Sequence, residues 1–413
     1  MNKVLILAYH FPPLSGGGVF RTLKFTKYLP EFGYQPHVLT VKNSMHRIKD
    51  AALLREIPPE AKVYRTFSFE HRILRAPRLL NMNLKWFYMP DEYIGWLPFA
   101  VSFGAKLVKK ENISVIYATS PIPTSLLIGF FLKKKTKKPL VIDFRDSWTD
   151  NPFNIYPTKF HESIERKMEE KVLTQADYVT VVTDSIKNTL IKRYPFLQSK
   201  IETLTNGFDS EDFMNLEINE KTDKFRITYA GSIYGLRTAK SFLLALKELT
   251  DENEELREKV EVLFVGNPGK ETPHLIKKLG LDENVKLVKY VPHRECLELM
   301  VNSQALLLLI TSGGAKGEGI LTGKLFEYLA SRKPIIAIAP ENGLAANIIK
   351  SLNAGTVLPP RDTRLIKKAI SDFYEEWIEG KLSATTANMG NIARYDRKIL
   401  TQRLAQIFTK VTQ

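Results

Sequence analysis

Short apolar, β-branched runs recur along the chain, separated by polar or amphipathic stretches. In the first half they are VLILA (4–8), PHVLT (36–40), VIYAT (115–119), LVIDF (140–144) and YVTVVT (178–183). In the second half they are RITYAG (226–231), VEVLFVG (260–266), VKLVKYV (285–291), ALLLLI (305–310) and PIIAIA (334–339). Such runs suit strands covered on both faces, as in a parallel sheet. Helical stretches fall between them over Val19–Phe32, Ser163–Leu173, Lys240–Leu249, His274–Leu279, Arg294–Asn302 and Lys324–Ser331. Alternation of this kind implies right-handed βαβ crossovers, so the expected fold class is α/β with two doubly wound, Rossmann-like domains. Turn residues cluster at TNGFDSE (205–211), and a last helix is expected over about Ile392–Val411. The expected organisation is residues 1–207, residues 208–387, and a segment 388–413 that packs back on the first domain.

Composition narrows the function classes. The lone Cys296 excludes an internal disulfide framework and a cysteine-based zinc site. The longest apolar run, Ser125–Leu132, is far shorter than the ~20 residues that span a bilayer. The N-terminus lacks the features of a signal peptide, so a cytoplasmic chain is expected. Charge is uneven: residues 1–210 carry a net +12 and residues 211–413 a net +3. A basic half attracts nucleic acid, an anionic membrane face or phosphorylated substrates. No RNA- or DNA-binding pattern is present, so no nucleic acid partner is expected. Residues 71–88 mix Arg72, Arg75, Arg78 and Lys85 with Trp86, Phe87 and aliphatic residues, and a lysine run (133–138) follows SLLIGFFL. Both segments suit peripheral docking on an anionic membrane surface; a solvated basic edge on a core helix is the plainer alternative.

The candidate chemistry lies at strand ends. Gly16, Gly17 and Gly18 stand between the first strand and the first helix, where backbone N–H groups and the helix dipole can hold an anion. In the second half, Gly231 and Ser232 end a strand, and Arg237 and Lys240 are expected to open the next helix. A cation there opposes the helix dipole unless an anion lies nearby. A glycine-containing loop (313–323) precedes a helix expected from about Lys324, with Glu327 in its first turn as a candidate for a ribose diol. The DFRD end of the fourth strand offers Asp143, Arg145 and Asp146. His10, His37 and His293 are scattered, and no acidic or histidine array has metal-ligand spacing. No metal and no other cofactor is expected.

Taken in order, FPP-x-SGGG, VIDFRDSW (141–148), ADYVTVVTDS (176–185), TNGFD (205–209), YAGSIYGLR (229–237), VPHRECLELMVNSQALLLL (291–309) and GKLFEYLASRKPIIAI (323–338) resemble glycosyltransferase family 4 over nearly the whole chain. The resemblance implies a GT-B fold, with two Rossmann-like domains facing across a cleft. It also implies retaining, metal-independent transfer of a hexose-type sugar from a nucleotide diphosphate, foremost UDP. The implied acceptor is a glycan or lipid-linked glycan of cell-surface polysaccharide synthesis. Gly17 and Gly18 match the loop that meets the donor phosphate. Arg237 matches the lysine of the family's phosphate pair. Ser232 stands where its arginine belongs, so Lys240 or Lys324 is expected to substitute. Glu327 matches the second glutamate of E-x7-E, and Gly319 occupies the place of the first. Sugar recognition is then expected from the Gly319–Ile320–Leu321 backbone. Arg145 stands nearest the position of the histidine that the family's N-terminal domain offers near the donor sugar. It is expected to stabilise charge, while Asp146 or the donor phosphate receives the acceptor proton. Two other classes stay open: a GT-B-fold sugar-nucleotide epimerase and a basic nucleic-acid-binding protein.

Overall fold

The structure is a computed structural model of the 413-residue chain. It describes all residues except 43–47, 70–85, 87, 152–153, 219–221, 236, 312–314 and 383–388. The chain forms two compact units, Met1–Asn206 with Arg397–Gln413, and Gly207–Asp396. The C-terminal segment thus divides at Arg397 rather than at 388. Ile392 and Tyr395 pack in the second unit's core, and Asp396 accepts from the Ser210 amide at 3.2 Å. The helix Arg397–Thr412 buries Leu400, Leu404, Ile407 and Phe408 in the first unit.

The first unit is built on seven parallel strands: β1 (Asn2–Leu7), β2 (Tyr34–Val41), β3 (Lys62–Thr66), β4 (Val115–Thr119), β5 (Leu140–Phe144), β6 (Tyr178–Val181) and β7 (Ile201–Thr203). Their order is β3-β2-β1-β4-β5-β6-β7. Alternate residues feed the two faces: Leu5, Leu7, Ile116 and Ile142 one core, Val4, Ile6, Val115 and Val141 the other. The first helix is shorter than its pattern predicts. It runs Phe20–Tyr28 and tightens into a 3-10 turn over Leu29–Phe32, where Pro30 sits near its start. Gly33, at φ +83°, ends it in the left-handed region.

The second unit carries six parallel strands: β8 (Phe225–Ser232), β9 (Val260–Asn267), β10 (Val285–Val288), β11 (Ala305–Leu309), β12 (Ile335–Ile338) and β13 (Gly355–Leu358), ordered β10-β9-β8-β11-β12-β13. In each sheet the strand order reverses once, between β1 and β4 and between β8 and β11. In open α/β sheets the crevice beyond the carboxyl ends at such a reversal is where ligands bind. Both glycine-bearing motifs singled out above follow the strands at these points.

Candidate functional site

In the first unit, the loop after β1 is held by two arginines working in opposite directions. Arg21, the second residue of helix Phe20–Tyr28, reaches the end of β5. Its Nε and Nη2 donate to the Asp143 carboxylate at 3.0 and 2.8 Å, and its Nη groups also reach the Thr205 and Leu204 carbonyls. Thr119 and Thr180 each donate to Asp143 at 2.7 Å. Burial disfavours that carboxylate, yet Arg21 and the two hydroxyls hold it below the usual range. Asp143 is thus consumed by a buried ion pair that fixes the helix to the sheet.

Arg145 reaches back the other way. Its Nη1 and Nη2 donate to the Gly18 and Gly17 carbonyls at 2.7 and 2.6 Å, and its own amide donates to Ser120 Oγ at 2.7 Å. The guanidinium expected to stabilise reacting charge therefore grips the backbone of the glycine loop. Burial, and then the neighbouring Arg21, lower its pKa from the ordinary arginine value. Asp146 is exposed beside it, and its charge favours the Arg145 cation. Gly16 turns the loop with φ +106°. A Cβ on Gly18 would come within 3.3 Å of the His10 ring.

The segment MPDEYIGWLPFAV (89–101) also packs at this site. Asp91 accepts from the amide and hydroxyl of Thr124, both at 2.7 Å, and so caps the helix Pro123–Thr136. Burial pushes its carboxyl up to about 6 against these donors. Tyr93 packs on Tyr9 and His10, and Trp96 Nε1 donates to Thr66 Oγ1 at 2.8 Å. This aromatic wall backs the histidine that touches Gly18. Of the basic segment 71–88, residues 71–85 and Phe87 lie outside the described residues; Trp86 is 54% exposed. In the lysine run, Lys133 is taken by Asp177 at 2.7 Å.

In the second unit, the helix after β11 starts at Gly323, so Lys324 is its second residue and Glu327 its fifth. Glu327 therefore lies just past the first turn in which it was expected. Its Oε1 lies 3.1 Å from His293 Nε2, and His293 Nδ1 is 3.9 Å from Asp212. His293 begins the helix His293–Val301 and braces the carboxylate. It was read only as one of several scattered histidines. Its place in VPHREC, within the same set of motifs, was the available signal.

Lys324 passes under β8. Its Nζ lies 3.2 Å from Tyr229 Oη and 4.7 Å from that ring's centroid. A Cβ on Gly231, where φ is +120°, would fall 2.0 Å from Lys324 Cε. Only glycine lets the lysine lie there. Burial, then the Arg237 cation, push the Lys324 ammonium down to about 7, partly offset by Glu327. Among the described residues no carboxylate comes within ion-pair distance of Lys324. Two cations thus share a half-buried space with too little negative charge. Arg237 lies before the helix rather than opening it: the helix begins at Lys240, which is exposed, and Arg237 stacks over Tyr234 at 5.1 Å. The loop is tied to the end of β11 by the Thr238 amide, which donates to Thr311 Oγ1 at 2.8 Å. Ser232 offers its carbonyl to Tyr229 Oη at 3.1 Å. Gly319 and Ile320 follow a short helix, Ala315–Glu318, and Ile320 and Leu321 pack against the core cluster that includes Phe326. Burial pushes the Cys296 thiol up to about 12, which leaves it inert as a nucleophile.

The structure therefore gathers Gly231, Lys324, Arg237 and Glu327 at the second sheet's reversal. It gathers Gly17, Gly18 and Arg145, with Asp146 at its rim, at the first. At the second reversal two cations stand beside a glycine strand end, with a braced carboxylate one helical turn away, an arrangement able to hold an anion. The family models "Glycosyltransferase Family 4" and "Glycosyl transferases group 1" match residues 15–212 and 211–394. The chain belongs to the family 4-type glycosyltransferases of GT-B fold. A D-inositol 3-phosphate glycosyltransferase of Kribbella flavida is 26% identical over 138 residues, 30% of this chain and 32% of that protein. The matches to three such curated relatives span 32% to 47% of their lengths. Among solved structures, a glycosyltransferase from Rickettsia africae covers 100% of this chain and 99% of its own at TM-score 0.70 and 16% identity. Anabaena HepE, solved with UDP-glucose, covers 99% of both chains at TM-score 0.65 and 15% identity.

Proposed function

We propose that this protein transfers a hexose from UDP-hexose to a glycan or lipid-linked glycan acceptor, with retention at the anomeric carbon and without a metal ion. The observation that carries the reading is the Lys324–Arg237 pair beside Gly231, positive charge held in a half-buried space that a diphosphate would neutralise. Breaking a glycosyl–phosphate bond leaves negative charge on the departing diphosphate and oxocarbenium character on the sugar. Fixed cations in a site of low polarity stabilise that charge without reorganising. Glu327, braced by His293, is suited to the ribose hydroxyls. The Gly319–Leu321 backbone is suited to the sugar. With two protein cations on the phosphates, no divalent ion is required. The preference for UDP is supported by the UDP-glucose bound to HepE.

Residues 1–210 carry most of the excess charge, and a cytoplasmic protein resting on an anionic membrane face fits a lipid-linked acceptor. No described helix is long and apolar enough to cross a membrane. The test is a turnover screen with UDP-, GDP- and dTDP-hexoses against short glycan and polyprenyl-linked acceptors, following nucleotide release and the product's anomeric coupling by NMR. Stoichiometric UDP release with a retained linkage is expected. Nucleotide release without a glycosylated product, or an epimerised donor, would overturn the reading.

A further inference from the structure

We infer that Arg145 is a positioning residue that clamps the Gly17–Gly18 peptide and fixes the direction of the Gly18 amide as a donor to an anion, rather than a group that itself meets the reacting sugar. The inference rests on the transferase reading proposed above. The two guanidinium nitrogens of Arg145 hold successive carbonyls, Gly17 at 2.6 Å and Gly18 at 2.7 Å. A trans peptide is planar, with C=O and N–H pointing opposite ways. Fixing the Gly17 carbonyl on Arg145 therefore turns the Gly18 N–H away from the guanidinium. Likewise, the carbonyl of Gly18 opposes the Val19 N–H, which is spent on the Gly16 carbonyl at 2.9 Å. Among the described residues, the Gly17 and Gly18 amides donate to no protein acceptor. The bound cation also draws electron density through the carbonyl and strengthens the opposite N–H as a donor.

Glycines at this loop have no side chain to hold them, and freedom is the cost of their close approach. Arg145 removes that freedom from outside the loop. Its own position is fixed by its amide on Ser120 Oγ and by strand β5, which Arg21 and Asp143 lock to the helix that follows the loop. Lysine could supply the charge but not two forked bonds to neighbouring carbonyls.

The experiment measures amide exchange by mass spectrometry on the full chain without ligand, together with steady-state kinetics, for wild type, R145K and R145Q. Thermal midpoints are recorded for all three. A clamp predicts roughly tenfold or greater acceleration of exchange at the hydrogen-bonded Ser15 and Val19 amides, read in peptides spanning residues 15–20, in both variants, with the sheet unchanged. It also predicts kcat lower by about 100-fold, the scale of a small misplacement at a reacting centre, with the donor KM little changed and no rescue by lysine. Loop exchange equal to wild type would overturn the inference, as would a wild-type rate in R145K, which would mean that charge alone is needed. If R145Q does not fold, R145K alone decides. If the wild type turns over no nucleotide sugar, the transferase reading fails, while the exchange measurement still decides the clamp.

Discussion

Lys324 offers a way to read the donor site through its proton. The ordinary lysine pKa is near 10.5; in the free protein burial and Arg237 bring it to about 7. A bound diphosphate replaces the missing negative charge and returns the ammonium toward its ordinary value. Below pH 7 the lysine is already charged and binding takes up almost no proton. Above pH 7 the free lysine is neutral, so binding must recruit one, and affinity falls as pH rises. For a free value near 7 and a bound value of 10 or more, linkage predicts uptake of ~0.1 proton at pH 6 and ~0.9 at pH 8. Affinity then weakens roughly 30-fold between pH 6 and 8.5. A UDP-hexose is the proper probe, because its diphosphate diester does not titrate in this range. Calorimetry in buffers of different ionisation enthalpy yields the uptake directly. Lys324→Met should bind weakly and abolish the uptake. Gly231→Ala, whose Cβ would overlap Lys324 Cε, should displace the ammonium and mimic it. Binding by the wild type with constant affinity and no proton uptake from pH 6 to 8.5 would refute the reasoning.

Four further outcomes are expected. Glu327→Ala and His293→Ala should each weaken UDP-hexose binding about tenfold with little change in thermal midpoint, since a lost charged hydrogen bond is worth ~1.5–3 kcal/mol; unchanged affinity in calorimetry would remove the pair from the site. Arg21→Ala should destabilise the fold by about 3–5 kcal/mol, because it strands the buried Asp143 carboxylate; urea unfolding checks this. EDTA should leave turnover intact, and activity lost to EDTA and restored by Mn²⁺ or Mg²⁺ would contradict the protein-cation reading. The protein should sediment with anionic but not neutral vesicles at low salt and come off as salt rises, and replacing Arg72, Arg75, Arg78 and Lys85 by Ser should reduce that binding.

The sheets were readable because a strand buried on both faces must be apolar throughout. VIYAT and LVIDF coincide with β4 and β5 for that reason. The strands not anticipated, β3, β7 and β13, lie at sheet edges or are very short. KVYRT mixes polar and apolar residues without a continuous apolar run, and IET spans three residues. The helix expected from Lys324 starts one residue earlier, at Gly323, whereas Arg237, expected to open a helix, lies three residues before the one that starts at Lys240.

The site was legible as a set of residues but not as a set of contacts. Motif order pointed to Gly231, Arg237, Lys324 and Glu327, but not to Lys324 lying against Gly231 or to His293 holding Glu327. The Arg145 grip joins residues 127 and 128 positions apart through backbone carbonyls, and carbonyl partners leave no mark on residue identity. Asp143, next to Arg145 but one, stands in the same DFRD motif, and four hydrogen bonds commit it to the buried ion pair.

The central claim is that the carboxyl ends of β8 and β11 form a nucleotide-diphosphate-sugar site. A crystal structure with UDP-hexose bound tests it most directly. The account predicts diphosphate oxygens within hydrogen-bond distance of Lys324 Nζ and the Arg237 guanidinium, with the ribose hydroxyls on Glu327. A nucleotide seated elsewhere, or one whose diphosphate is held by a metal ion with Lys324 unengaged, would contradict it.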